Sequence, residues 1–78
     1  MIKIYSKSNC PNCVLTKSLL DRLGVKYEDV DVTVIDSAMN HIQELGYMTL
    51  PVLKKGESHM SVSTWTNDTQ ENIKKFVR

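Results

Sequence analysis

Between Met1 and Val32 the hydrophobic period of the chain changes twice, and this restricts the fold more than any other feature. Ile2 and Ile4 flank Lys3 within Met1–Tyr5, the alternation of a short strand. Ser6–Asn9 is a polar loop. Pro11 suits the first helical position, where its missing N–H costs nothing. Val14, Leu15, Leu19 (or Leu20) and Leu23 follow at helical spacing, and Gly24 is a natural stop. Val25–Val32 returns to strand, with Val and Tyr interleaved by Lys, Glu and Asp. Strand, helix, strand in so short a span predicts a parallel pair joined by a right-handed crossover.

The rest of the chain extends this start. Thr33 is the expected cap of a second helix, with Asp36 as its partner, an apolar stripe of Ile35, Ala38, Ile42 and Leu45, and Gly46 at its end. Tyr47–Leu50 is a loop leading to Pro51. Pro51–Lys54 and Ser58–Val62 read as an antiparallel hairpin turned at Lys55-Gly56-Glu57, with the proline tolerated at a strand's first residue. Asn67 and Gln70 mark a last helix, with Trp65 as a staple at its entry and Ile73, Phe76 and Val77 as its buried face. The expected fold is α/β, in the order β-α-β-α-β-β-α, with helices covering both faces of a mixed four-stranded sheet. At 78 residues the chain has room for one domain, 1–78, and a domain this small buries only about 60–65% of its unfolded surface.

Composition narrows the function classes. Apolar residues make up 41% and charged residues 24%, which is too apolar for disorder, and no run nears the roughly 20 apolar residues of a membrane span. The opening residues lack the pattern of a secretory signal, so the cytosol is the expected compartment. Ten basic residues against nine acidic ones are dispersed along the chain, whereas nucleic-acid binders cluster theirs on one face. Neither a nucleic-acid partner nor a membrane is expected.

Both cysteines fall within Cys10-Pro11-Asn12-Cys13. A bridge across so short a loop adds little stability through chain entropy, so a chemical role is favoured over a structural one. The attacking species in thiol exchange is the thiolate, and a helix N-terminus favours it through unpaired N–H groups and the peptide dipoles. Cys10 stands at such a terminus, and Lys7 adds positive charge from the preceding loop. Cys10 is therefore the expected nucleophile and Cys13 the resolving thiol, with Pro11 and Asn12 tuning the potential. This reading needs Cys10 within reach of solvent. Two alternatives remain: half of a zinc site, for which only His41 and His59 offer ring nitrogens, and a thiol module that senses oxidants. Pro51, opening a strand after a loop, is compatible with a trans edge proline or with a cis bond.

With those residues in view, the chain resembles the glutaredoxin type of the thioredoxin superfamily. Ile4-Tyr5-Ser6-Lys7, Cys10-Pro11-Asn12-Cys13, Leu45-Gly46-Tyr47 and Thr49-Leu50-Pro51-Val52 occur in that family's order and spacing. Asn12 and Leu50 stand where a Tyr and a Val are usual. The resemblance implies a thioredoxin-like fold, thiol–disulfide oxidoreductase activity and a cis Leu50–Pro51 bond facing Cys10. It also implies that Lys7, Pro11, Asn12, Thr49, Leu50 and Pro51 present the site to substrate, that no cofactor is bound, and that the protein works as a monomer.

Two groups within the family match different parts of the chain. Glutaredoxins take glutathione as co-substrate, using a basic residue such as Lys7, the backbone at Leu50 and a Gly-Gly turn after the fourth strand. The stretch Ser61–Asp68 lacks both glycines, and Val and Ser there crowd a close backbone approach. The N–H groups of Thr66–Asp68 remain available to a carboxylate. NrdH-redoxins are similar to Leu45-Gly46-Tyr47 with Pro51-Val52, and only in part to His59–Val62. That resemblance implies reduction by thioredoxin reductase and electron donation to ribonucleotide reductase, and it is the one favoured, in a form divergent like phage redoxins.

Overall fold

In the computed structural model, which describes all 78 residues, the alternation of β1 (Ile2–Ser6) feeds two separate cores. Ile2 and Ile4 enter a cluster with Leu19, Leu20, Leu53, Val62 and Ile73, while Tyr5 enters another with Val32, Ala38, Ile42 and Val52. The remaining elements are α1 (Pro11–Arg22), β2 (Tyr27–Asp31), α2 (Asp36–Glu44), β3 (Val52–Lys55), β4 (Ser58–Ser61) and α3 (Asn67–Val77). Helices α1 and α3 therefore cover one face of the sheet and α2 the other.

The sheet order is β2-β1-β3-β4. β1 runs parallel to β2, with Ile4 opposite Asp29, and antiparallel to β3, with Ile4 opposite Leu53 and Tyr5 opposite Val52. β3 and β4 form the expected hairpin, turned at Gly56-Glu57 with Gly56 at φ 60°. Every expected element is present in the expected order, and each strand is shifted or trimmed by a residue or two at its ends.

Three local expectations are corrected. The buried stripe of α1 is Cys13, Thr16, Leu19 and Leu20, whereas Val14 is 63% exposed and Leu15 and Leu23 are also open to solvent. The stripe begins with a cysteine and a threonine, so a count of aliphatic residues misplaces its phase. Thr33 does not cap α2. Its N–H and hydroxyl both bond the Asp31 carboxylate, at 2.8 and 2.6 Å, which leaves Ile35 at the N-cap with no side-chain bond. These bonds, that of the Thr33 hydroxyl above all, hold the Asp31 carboxyl below its usual titration range. At α3 the cap is Thr66 and not Asn67: the Thr66 hydroxyl accepts the Thr69 N–H at 3.1 Å. Trp65, just before it, is half-buried against the larger cluster, as a residue at the helix entry should be.

Candidate active site

Cys10 is the N-cap of α1. Its backbone is extended (φ −115°, ψ 101°) and its carbonyl accepts the Val14 N–H at 3.1 Å. Asn9 makes the turn into it at φ 58°, a left-handed conformation that Asn tolerates better than most residues. The Cys10 sulfur accepts the Cys13 N–H at 3.2 Å, taking up one of the donors that a helix start leaves unpaired. Pro11, at the first helical position, has no N–H to offer, and the first turn holds no acidic residue. A sulfur so placed is stabilised as an anion by backbone dipoles without opposing charge.

The two sulfurs are joined in a disulfide, with their Cα atoms 5.2 Å apart. They differ in access. Cys13 is 1% exposed and Cys10 7%. Cys10 is thus less open than the sequence reading requires of a nucleophile, yet it forms part of the floor of a groove of about 900 Å³. The groove thus gives access to Cys10, whereas Cys13 does not line it.

Of the expected site residues, Lys7, Cys10, Pro11, Thr49 and Leu50 line this groove together. Lys7 is exposed and makes no ion pair. The Leu50–Pro51 bond is cis, and the Leu50 carbonyl oxygen lies 3.9 Å from the Cys10 sulfur. Asn12, Cys13 and Pro51 do not line the groove. Asn12 donates from Nδ2 to the Ser63 carbonyl at 3.2 Å, tying the cysteine turn to the segment after β4.

Two groove residues escape a sequence reading. Met39 and Gln43 come from α2, outside its expected stripe of Ile35, Ala38, Ile42 and Leu45, of which Ala38 and Ile42 are buried and Ile35 is exposed. Tyr47 lines the groove and meets His59 through its hydroxyl, 2.5 Å from Nδ1. Met48 also lines the groove and is 99% exposed. Tyr5 by contrast is buried in the core beside the His41 ring. His41 lies 3.0 Å from the Lys54 ammonium, and no three His, Cys, Asp or Glu side chains gather where they could hold a metal ion.

A sequence profile of the glutaredoxin family matches residues 2–60. The chain belongs to the glutaredoxin family. Its Cys10–Cys13 pair is accordingly that of a thiol–disulfide oxidoreductase. Among its relatives is the glutaredoxin-like protein NrdH of Salmonella typhimurium, 32% identical over 56 residues, which cover 72% of this chain and 69% of the relative. A glutaredoxin of Ricinus communis is 34% identical over 64 residues, spanning 76% of this chain and 62% of that one. The solved structure of the glutaredoxin-like protein NrdH-redoxin from Escherichia coli superposes with a TM-score of 0.83 at 24% identity, covering 95% of this chain and 91% of the other. The glutaredoxin of Archaeoglobus fulgidus gives 0.77 at 25% identity, over 99% and 85%. The β-α-β-α-β-β-α order expected from the residues, and the thioredoxin-like fold that the resemblance implies, are the fold observed.

Proposed function

We propose that this glutaredoxin-family protein is an NrdH-redoxin-like electron carrier, reduced by thioredoxin reductase and reducing ribonucleotide reductase or another disulfide protein. The Cys10 thiolate attacks one sulfur of the substrate disulfide; the other sulfur leaves with the bonding pair and takes up a proton. Cys13 then attacks the Cys10 sulfur of the mixed disulfide, the substrate's remaining sulfur leaves as its second thiol, and the protein is left as the Cys10–Cys13 disulfide, two electrons poorer. Lys7 adds positive charge at the groove. Thr49 and Leu50 offer backbone to an extended substrate chain, and Pro51 fixes that backbone. No bound cofactor is required.

The observation that carries the choice of protein over tripeptide lies after β4. Val62 is 1% exposed and gives its N–H to the Pro51 carbonyl at 3.0 Å, and the Ser63 carbonyl is already occupied by Asn12. A Gly-Gly turn there would leave its backbone open to glutathione; here the Val62 N–H is spent on the protein itself, and Ser63, which lines the groove, already gives its carbonyl to Asn12. Thr66 takes the Thr69 N–H, and the start of α3 lies outside the groove lining. The NrdH names of several relatives and the thioredoxin-like activity profile of the Escherichia coli NrdH-redoxin agree with this reading.

The unpaired Lys7 favours the second reading, a glutathione-dependent glutaredoxin, since it offers a cation to a tripeptide carboxylate. A coupled assay following NADPH oxidation separates the two. Thioredoxin reductase should support turnover of a protein disulfide, and glutathione with its reductase should not. Turnover by the glutathione system alone overturns the proposal.

A further inference from the structure

One buried side-chain oxygen or nitrogen in the whole molecule has no hydrogen-bond partner, and it is the hydroxyl of Thr16. Thr16 is 0% exposed and follows Cys13 by three residues on α1. Side chains three apart on a helix are neighbours, with Cβ atoms about 5–6 Å apart. Helical side chains also lean toward the N-terminus, which brings Thr16 up toward the cysteine's turn. Its hydroxyl does not bond back to the preceding turn's carbonyl, nor to the Cys13 sulfur, which the disulfide draws toward Cys10. An orphaned hydroxyl in a core is costly and asks for an explanation.

We propose that Thr16 is a positioning residue for the second cysteine, its hydroxyl serving as the hydrogen-bond partner of the Cys13 sulfur once the disulfide is cut. The proposal deepens the dithiol cycle above and rests on it. When a reductant's thiolate attacks the Cys10 sulfur, a new S–S bond forms there. The old bonding pair leaves on Cys13 as a thiolate at a site 1% exposed. A buried anion without a donor is strongly disfavoured. The Thr16 O–H supplies that donor. The Cys13 thiolate then takes a proton, and its S–H donates to Thr16 Oγ1. A second thiol of the reductant cleaves the mixed disulfide and releases Cys10. The hydroxyl is thus unsatisfied when the pair is oxidised and satisfied when it is reduced, which favours the dithiol and raises the potential.

The test compares wild type with Thr16→Val, which keeps the shape and removes the hydroxyl, and Thr16→Ser, which keeps the hydroxyl. Equilibration with a reference dithiol should show Thr16→Val shifted about fivefold to tenfold toward the disulfide, or about 20–30 mV more negative, with Thr16→Ser close to wild type. The oxidised Thr16→Val protein should melt no lower than wild type, because it loses only an unpaired polar group. Its reduced form should melt lower. An unshifted equilibrium in Thr16→Val overturns the proposal, as does an oxidised form that melts below wild type. In the unmodified protein, reduction should slow solvent exchange of the Thr16 hydroxyl proton; exchange as fast as in the disulfide form overturns it as well. A wild type that shows no reversible two-electron couple would sink the dithiol cycle itself, a separate and visible failure.

Discussion

Two isoleucines, one in each core, should part company when truncated. Ile73 on α3 is 0% exposed and sits in the larger cluster, enclosed by Leu19, Leu20, Leu53 and Val62 with Trp65 and Phe76 at its margin. Ile42 on α2 is 3% exposed in the smaller cluster, and it also forms part of the groove wall. Truncating a buried Ile to Ala costs about 2–5 kcal/mol, and the spread reflects how well the surroundings collapse. Ile73, held by both helices on its face, belongs at about 3–5 kcal/mol; Ile42, beside an open groove whose Met39 and Tyr47 can relax, belongs at about 2–3 kcal/mol. A chain of 78 residues has a total stability of only about 4–12 kcal/mol, so Ile73→Ala removes a large share of it. The companion Ile→Val changes, at about 0.5–1.5 kcal/mol each, keep both proteins folded.

Urea unfolding of the oxidised proteins reads the stability, and reduction of a protein disulfide in the coupled assay reads the function. Ile73→Val should lower the midpoint and leave kcat/KM unchanged, since Ile73 lies across the sheet from α2 and far down α3. Ile42→Val should cost less stability and lower kcat/KM by reshaping the groove. If the Ile42 changes cost more stability than the Ile73 changes, the two-core account is wrong. If Ile73→Val slows turnover of the folded protein, the separation of scaffold from groove is wrong.

Three other perturbations have defined outcomes. Cys13→Ser should stop multiple turnover and accumulate a mixed disulfide through Cys10, visible by mass spectrometry; full protein-disulfide reductase activity would refute the dithiol cycle. Thr66→Ala should cost about 1 kcal/mol by removing the bond to the Thr69 N–H, lowering Tm by about 4–8 °C in a domain of this size. Asp31→Asn should destabilise the protein near neutrality and have progressively less effect in acid. The Asp31 carboxyl titrates lower in the folded chain than in the unfolded one, so its contribution is present above the ordinary carboxylate range and lost as pH falls through the depressed value. Urea midpoints of both proteins at about pH 7 and about pH 3 check this, and a gap that widens in acid reverses the sign.

The order of elements was legible because it depends on local period and punctuation: Ile2 and Ile4 around Lys3, Pro11 at a helix start, Gly24 at its end. The cysteine turn was legible for the same reason, since an N-cap is a local structure. What depends on competition between neighbours was not. Thr33 looks like a cap until Asp31, two residues before it, takes both its N–H and its hydroxyl. Val14 and Leu15 look like core until Cys13 and Thr16 are seen to set the phase of α1. Contacts distant in sequence were out of reach altogether: the link from Asn12 to Ser63 spans 51 residues and joins two stretches that show no sign of each other in the sequence.

That link also bears on why this chain departs from the glutathione-binding pattern where it does. A Gly-Gly turn leaves backbone groups free for a ligand, and its cost is conformational freedom that folding must remove. Val62 reverses both terms. Its side chain joins the larger core, its N–H closes onto Pro51, and the next carbonyl is held by Asn12. The Asn between the cysteines and the segment after β4 are thus joined through the Ser63 carbonyl. Asn12 has a partner because Ser63 is held in place, and Ser63 is held in place because Val62 is anchored in the core. On this view, Val62→Gly removes the anchor that holds Ser63 and weakens its bond with Asn12 as well, whereas Asn12→Ala leaves Val62 and its bond to Pro51 in place.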